Sequence, residues 1–123
     1  LVSIVRAWAQ AGGAVPAPVS IGLLHSARTL DDLAYREELH AIAAARPGFD
    51  YVTTVTRGGI DAAAAGYHRR VDRAMIEEVL ARGQGLPAVC YVCGANGFVE
   101  TAAQLLVAAG IAPRAIRTER YGG

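Results

Sequence analysis

Lysine is absent from this 123-residue sequence, and all 12 basic side chains are arginines. Without lysine the chain has neither a Schiff-base lysine nor the lysine of the phosphate loop G-x-x-x-x-G-K-[ST]. The motifs G-x-S-x-G and H-E-x-x-H are also missing. These absences argue against lysine-dependent covalent catalysis, P-loop nucleotide hydrolysis, and the hydrolases that those motifs mark.

Strong net charge and long apolar runs are missing as well. The 12 basic and 11 acidic side chains leave a formal charge of +1, whereas a general nucleic-acid-binding domain is strongly basic. No apolar run approaches the roughly 20 residues that cross a bilayer, and no basic-then-apolar leader opens the sequence. We therefore expect a cytoplasmic protein with no nucleic-acid or membrane partner.

Only two cysteines are present, too few for a disulfide-rich scaffold. Cys90 and Cys93 form C-x-x-C, but a zinc site needs further ligands, and the three histidines show no paired spacing, so we predict no metal. A redox C-x-x-C normally lies at a helix N-terminus. Cys90 instead falls in an apolar segment, where we expect an inert core residue, while Cys93 directly precedes Gly94. We therefore treat only Cys93 as a candidate for the site.

Hydrophobic residues make up 53% of the chain, and their spacing predicts four helices. The first helix carries Leu1, Ile4, Val5 and Trp8 on one face and ends at Gly12-Gly13. The second begins after an N-cap at Thr29, carries Tyr35, Leu39, Ile42 and Ala43 on one face, and ends at Pro47-Gly48. The last two carry Val71, Met75 and Val79 up to about Gly83, and Phe98, Ala102, Leu105, Leu106 and Ala109 up to Gly110. Trp8 and Tyr35 are predicted to face the core.

Four short apolar or β-branched runs alternate with these helices and predict strands at residues 19–24, 51–56, 88–92 and 115–118, with a loop at 58–66. Alternation of this kind indicates a three-layer, Rossmann-like α/β fold, in which helices cover both faces of a parallel sheet. Such sheets normally begin with a strand and a Gly-rich turn. Because this sequence opens on a helix, we expect that strand and loop upstream of residue 1, and we expect the isolated 123 residues to be unstable.

Ligands of open parallel sheets bind at the carboxyl ends of the strands. Arg28 and Arg57 follow two predicted strands, and Arg69 and Arg70 open the third helix. Clustered guanidinium groups suit a phosphate, because each presents a planar fork of donors, although a surface arginine can equally pair with a carboxylate. His25 also ends a strand, and we interpret it as a hydrogen-bonded structural residue.

Five segments, in order along the chain, carry a family resemblance. They resemble the motifs of the ferredoxin–NADP reductase superfamily: the helix after G-G-x-G-x-T-P, S-x-R…Y-x-x-E-L, S/T-R…G-R-I-D, C-G-x-x-x-F-V/M and T-E-R-F/Y-G. The matching residues are Leu1–Arg6, Ser26–Arg28 with Tyr35–Leu39, Thr56-Arg57 with Gly66-Tyr67 and Arg70–Asp72, Cys93–Glu100, and Ile116–Gly123. Of the adjacent Arg69 and Arg70, only the alignment with Val71-Asp72 favours Arg70.

The resemblance implies that residues 1–123 are part of the NAD(P)H-binding domain of a bacterial flavin-dependent reductase, with an FAD-binding β-barrel domain upstream. Residues around the adenosine end and its 2′-phosphate would be Ser26, Arg28, Thr56, Arg57, Tyr67 and Arg70. Cys93 and Gly94 would lie near the nicotinamide, Glu119 near the site of hydride transfer, and Tyr121 near the flavin. The implied reaction passes a hydride from NADPH, in preference to NADH, to FAD, and electrons onward to ferredoxin or another iron–sulfur or heme protein.

Two other interpretations stay open. Fold alone does not fix function, so the chain could be a non-catalytic nucleotide-binding or regulatory module. A flavodoxin-like receiver or carrier domain is a third interpretation, but receivers need an acidic cluster at the strand ends to hold Mg²⁺. Glu119 is the only acid at the predicted strand ends, which argues against a receiver. The sequence leaves the choice of FAD or FMN and the electron acceptor undecided.

Overall fold

A computed structural model describes residues 2–11, 21–57, 66–83, 87 and 89–120. The chain divides into two compact units, and we call Val2–Arg70 the first unit and Val71–Gly123 the second unit. The first unit contains α1 (Val2–Ala11), β1 (Ile21–Ala27), α2 (Arg36–Ala45), β2 (Phe49–Val55) and β3 (Gly66–Tyr67). The second contains α3 (Arg73–Arg82), β4 (Cys90–Gly94), α4 (Asn96–Ala108), a 3₁₀ turn (Pro113–Ala115) and β5 (Ile116–Arg120).

The first unit is built on a parallel sheet with the strand order β1-β2-β3. Its register runs from Ile21 beside Phe49 to Ala27 beside Val55. Helices α1 and α2 cover one face of this sheet, where Val5, Leu39 and Phe49 form a buried cluster. Trp8 packs against that cluster, as its helical spacing predicts.

The second unit is built on a parallel pair of strands, β4 and β5, with Cys90 beside Ile116. Helix α4 buries Val99 and Ala102 against Val92 of β4. The crossover between the two strands is therefore a helix whose apolar face covers the strands it connects, as expected for a βαβ unit. Parallel strands separated by helices in both units confirm the predicted α/β class.

The strand positions differ from the predicted ones by a few residues. Strand β1 continues through Ala27, three residues beyond its predicted end, because its backbone stays paired with β2 up to Val55. In the same way β4 continues to Gly94 and β5 to Arg120, which are paired with each other. The predicted ends at Gly12-Gly13, residues 19–20 and residue 88, and most of the predicted 58–66 loop, lie outside the described residues.

The predicted N-cap at Thr29 is wrong. The Thr29 hydroxyl donates to the Asp32 carboxylate at 3.0 Å, and a series of turns follows it. These turns bury Leu33, which is 3% exposed, against Val55. The burial of Leu33 delays α2 until Arg36.

The prediction that Tyr35 faces the core is also wrong. Tyr35 directly precedes α2 with a left-handed φ of 60°, and its side chain is 55% exposed. The guanidinium carbon of Arg6 lies 4.8 Å from the centre of its ring, and Arg6 also forms two 2.7 Å hydrogen bonds with the carboxylate of Glu38. Tyr35 is thus part of a surface contact between α1 and α2.

The two helices of the second unit have well-defined ends. At the start of α3, the carboxylate of Asp72 accepts a 3.0 Å hydrogen bond from the Met75 backbone, which satisfies one of the free N–H groups of the first turn. At the end of α4, Gly110 has a φ of +105°, and its N–H donates to the Val107 carbonyl while Ile111 donates to Leu106. This is the Schellman arrangement, and it confirms the predicted stop at Gly110.

The buried face of α4 differs from the predicted one at Phe98. Val99 is fully buried, whereas Phe98, whose spacing predicts a place on the apolar face, is 37% exposed.

Across the described helices, none is long and apolar enough to span a membrane. Among the same residues there is no group of three or more His, Cys, Asp or Glu side chains that could hold a metal ion.

Candidate functional site

The carboxyl ends of β1 and β2 carry two arginines on neighbouring backbones. Beyond the last paired residues, Thr56 donates to the Ala27 carbonyl at 3.0 Å, and Arg57 donates to the Arg28 carbonyl at 2.7 Å. The two chains therefore stay side by side as they leave the sheet, and both arginine side chains are exposed. None of the ion pairs among the described residues involves Arg28 or Arg57. Within the described part of the structure, no carboxylate therefore neutralises these two arginines.

The third strand brings Tyr67 to the same edge of the sheet. Tyr67 lies beside Thr54 in register, next to the carboxyl end of β2. Gly66 has a φ of +100°, and a Cβ added there would lie 3.3 Å from the Thr53 carbonyl oxygen, so the close approach of the two strands favours glycine. The predicted adenosine-side residues all lie in the first unit, at or next to this edge: Ser26, Arg28, Thr56, Arg57, Tyr67 and Arg70.

Thr54 and Arg69 form a contact that the sequence did not predict. Thr54 is fully buried, and its hydroxyl donates to the carbonyl oxygen of Arg69 and accepts from the Arg69 backbone N–H at 3.3 Å. The guanidinium carbon of Arg69 lies 4.7 Å from the centre of the Tyr67 ring. Thr54 resembles its β-branched neighbours in the sequence, so no local signal marks it out.

His25 forms a hydrogen bond with Tyr51 beneath α2, with 2.8 Å between Nδ1 and the phenol oxygen. Burial raises the pKa of Tyr51 to about 12, so the phenol keeps its proton at neutral pH. Burial also lowers the pKa of His25, which favours its neutral form. The interpretation of His25 as a hydrogen-bonded structural residue is confirmed.

The second unit holds the residues predicted to act near the nicotinamide. Cys93 lies beside Glu119 in the register of β4 and β5. Side chains alternate along a strand, and Val92 faces α4, so Cys93 and Glu119 share the opposite face. The structure thus brings the two predicted catalytic residues together, one half-buried and the other exposed.

Gly94 ends β4 in a conformation that favours glycine, with a φ of +155°. A Cβ added to it would lie 2.8 Å from Cδ1 of Phe98, because the phenyl ring occupies that position. Arg120 of β5 forms a 2.7 Å surface ion pair with Glu100 of α4. Tyr121 lies outside the described residues.

Cys90 and Cys93 do not form a pair. They are three positions apart in one strand, so their Cα atoms are roughly 10 Å apart and their side chains point to opposite faces. A disulfide needs Cα atoms within about 7 Å. Burial raises the pKa of Cys90, which keeps it a thiol. The prediction that the two cysteines act separately agrees with this geometry, although Cys90 is half-buried and begins β4 instead of lying inside it.

These features define a parallel α/β domain of the Rossmann-like class. The model of the oxidoreductase NAD-binding domain family matches residues 1–104, and the chain belongs to that family. This confirms the pyridine-nucleotide domain to which the motifs pointed.

One solved structure shows the same fold over nearly the whole chain. The CS-b5R domains of human Ncb5or, in the NAD⁺ form, superpose with a TM-score of 0.72 at 19% sequence identity over 93% of this chain. The match covers 31% of that protein, so this chain spans about a third of its length. No curated protein is similar enough in sequence to count as a relative.

Proposed function

We propose that the chain is the NADPH-binding domain of a cytoplasmic flavin-dependent oxidoreductase, in which a hydride passes from NADPH to FAD. Electrons would then pass to ferredoxin or another iron–sulfur or heme protein. The observation that carries the NADPH assignment is the pair Arg28 and Arg57, joined through their backbones at 2.7 Å. It occurs in a chain of the oxidoreductase NAD-binding domain family.

The strand ends of the first unit fit a phosphate group. Two exposed guanidinium groups begin on neighbouring backbones, and a dianion bound between them would be attracted to both. Each guanidinium offers a planar fork of donors, and hydroxyl groups are added by Ser26 in β1 and by Thr56 directly after β2. Because the 2′-phosphate is the group that distinguishes NADPH from NADH, a site of this kind selects NADPH.

The face of the second unit that carries Cys93 and Glu119 fits the nicotinamide end. The nucleotide supplies a hydride there when it is bound, and the flavin accepts it. Loss of the hydride leaves positive charge on the nicotinamide ring, and the exposed Glu119 carboxylate favours that charge. The half-buried Cys93 beside it would contact the ring and exclude water.

Anaerobic addition of NADPH to the purified full-length protein tests the function. We expect flavin absorbance bands in the resting protein and their bleaching when NADPH is added. Binding of NADPH without flavin reduction would instead support the non-catalytic module. A protein that binds neither nucleotide would overturn the proposal.

Arg57→Ala tests the specificity. One charge-assisted contact contributes about 1.5–3 kcal/mol, so the KM for NADPH should rise by about 10- to 150-fold. The KM for NADH should change little. Arg73→Ala is a matched control, since Arg73 is an exposed arginine of the second unit, paired with Glu77. Equal effects of Arg57→Ala on both nucleotides would refute the assignment of Arg57 to the 2′-phosphate.

A further inference from the structure

We propose that the outer edge of β5 is a dimer interface, at which two copies of this chain pair their β5 strands antiparallel around Thr118. Among the described residues, β5 is hydrogen-bonded to a neighbouring strand on one edge only, that of β4. Its last four residues, Arg117–Arg120, are exposed. A strand with an unpaired edge is a template for pairing with another chain. The inference goes beyond the proposed function and does not depend on it.

The charges along β5 are complementary to those of a second, antiparallel copy. When Thr118 of one copy lies opposite Thr118 of the other, all five residues from Ile116 to Arg120 are paired. Arg117 of each copy then lies opposite Glu119 of the other, so a two-fold symmetric dimer contains this opposite-charge pair twice. Opposite charges that face each other across two strands stabilise the pairing, and like charges destabilise it.

Both charges are on the surface of the second unit. Arg117 and Glu119 lie on the face of the strand pair that is turned away from α4, and neither forms an ion pair within the described part of the chain. The guanidinium of Arg117 donates to the carbonyl oxygen of Arg114, which leaves its charge without a carboxylate. The second copy would supply that carboxylate.

The same charges select one register. Residues that lie opposite each other must share a face of the sheet, so the nearest alternative registers move the two-fold axis from Thr118 to Arg117 or to Glu119. Either move places a charged residue opposite its own copy, which is a like-charge pair. Charged side chains normally protect a sheet edge from pairing for this reason. The pairing around Thr118 is the only one of these three registers that joins opposite charges.

The position of α4 agrees with such a dimer. Helix α4 covers both strands of the second unit, since its apolar face packs against Val92 of β4 and Ile116 of β5. In a continuous sheet with strands about 4.8 Å apart, the midpoints of the two β4–β5 pairs are about 10 Å apart. The two α4 helices above those midpoints would therefore lie at about the 8–10 Å distance at which helices pack.

The outward side of α4 offers surface for that helix contact. A groove of about 400 Å³ lies between α4 and β5, and Ala103, Val107 and Ile116 are among the residues that line it. Val107 is 45% exposed in the single chain. The second α4 would cover this apolar surface, which favours association. Because a five-residue strand pair and one helix contact form a small interface, the dimer should be weak and depend on concentration.

Sedimentation equilibrium of the full-length protein over a range of concentrations tests the interface. We expect a monomer–dimer equilibrium in the wild type. Arg117→Glu and Glu119→Arg should each weaken dimerisation about tenfold or more, because each places like charges opposite each other twice. The double variant restores two opposite-charge pairs and should dimerise within about threefold of the wild type. Arg73→Glu, a matched control, makes the same charge change on exposed α3 and should leave dimerisation unchanged.

A disulfide at the two-fold axis tests the register. In the proposed pairing, the Cα atoms of the two copies of Thr118 are about 4.5–5.5 Å apart, which a disulfide can bridge. In a background with Cys90 and Cys93 replaced by serine, Thr118→Cys should form a disulfide-linked dimer under mild oxidation. The exposed control Arg120→Cys should not, because its two copies are offset by four residues, about 13 Å along the strands.

Several results would overturn the inference. These are a protein that stays monomeric at every concentration, a dimer that withstands both single charge reversals, and a double variant that dimerises as weakly as the single variants. Crosslinking of Arg120→Cys but not of Thr118→Cys would overturn the pairing around Thr118. None of these results bears on flavin reduction by NADPH, so failure of the interface and failure of the proposed function are distinguishable.

Discussion

Replacing Gly94 by alanine should destabilise the second unit strongly, for two separable reasons. The φ of +155° at Gly94 is rarely adopted by residues with a side chain, and such backbone strain costs about 1–3 kcal/mol. The new Cβ would also lie 2.8 Å from Cδ1 of Phe98, and overpacking of this kind costs about 1–3 kcal/mol. We therefore expect Gly94→Ala to lower the free energy of unfolding by about 2–6 kcal/mol.

Two other glycines of the same unit supply the controls. Gly110 has a φ of +105° but no atom within 4 Å of an added Cβ, so Gly110→Ala should show strain alone, about 1–2 kcal/mol. Gly97 lies in α4 with nothing within 4 Å of an added Cβ. Gly97→Ala should therefore stabilise the chain by about 0.5–1 kcal/mol.

Urea unfolding of the purified protein measures these free energies. Combining Gly94→Ala with Phe98→Ala removes the contact and leaves the strain, so the double-mutant cycle should give a coupling of about 1–3 kcal/mol. A Gly94→Ala variant that loses no more stability than Gly110→Ala, with no coupling to Phe98, would refute this account of the C-G-x-x-x-F motif.

Two further predictions concern a helix cap and a buried histidine. Asp72→Ala should lower the free energy of unfolding in urea by about 1 kcal/mol, because it removes the acceptor of the Met75 N–H. Asp72→Ser, which keeps an acceptor, should retain most of the stability. Equal stability of the wild type and Asp72→Ala would contradict the capping role. Burial lowers the pKa of His25 from its ordinary 6.5, so below pH 6.5 the unfolded chain binds more protons at this residue than the folded chain does. The stability that neutral His25 contributes should be complete above pH 6.5 and decline as the pH falls. The free energy of unfolding of His25→Gln, measured between pH 7 and 5, should therefore decline less than that of the wild type. An identical pH dependence of the two proteins would contradict this.

The helices and strands could be predicted because their signals are local. Met75 of α3 and Ala102 of α4 lie on the predicted apolar stripes and are buried, and Gly110 ends α4 as a glycine after an apolar run should. Thr29 has the right residue type for a cap, but Leu33 must be buried against Val55, and that tertiary demand replaces the first helical turn with a series of turns. Local propensity was overridden there by a contact between residues 22 positions apart.

The site could be predicted only in part, for a similar reason. The sequence shows that Arg28 and Arg57 each follow a strand. Because a parallel sheet places the carboxyl ends of its strands at one edge, it also predicts that the two arginines lie near each other. The two-residue strand β3 is too short to show a periodicity, so its pairing with Thr53 and Thr54 could not be foreseen. Arg69 and Arg70 are adjacent and of the same type, so the sequence did not show that the backbone of Arg69 bonds to the buried hydroxyl of Thr54.

The arrangement of the two thiols on β4 has a consequence for the chain under oxidising conditions. As long as β4 is a strand, an oxidant can modify Cys90 and Cys93 only one at a time, or couple either of them to a thiol of another molecule. A bond between the two requires the strand to open first. A Cys90–Cys93 disulfide would therefore form only in molecules in which β4 has unfolded locally, so the fraction of crosslinked chains would measure that local unfolding.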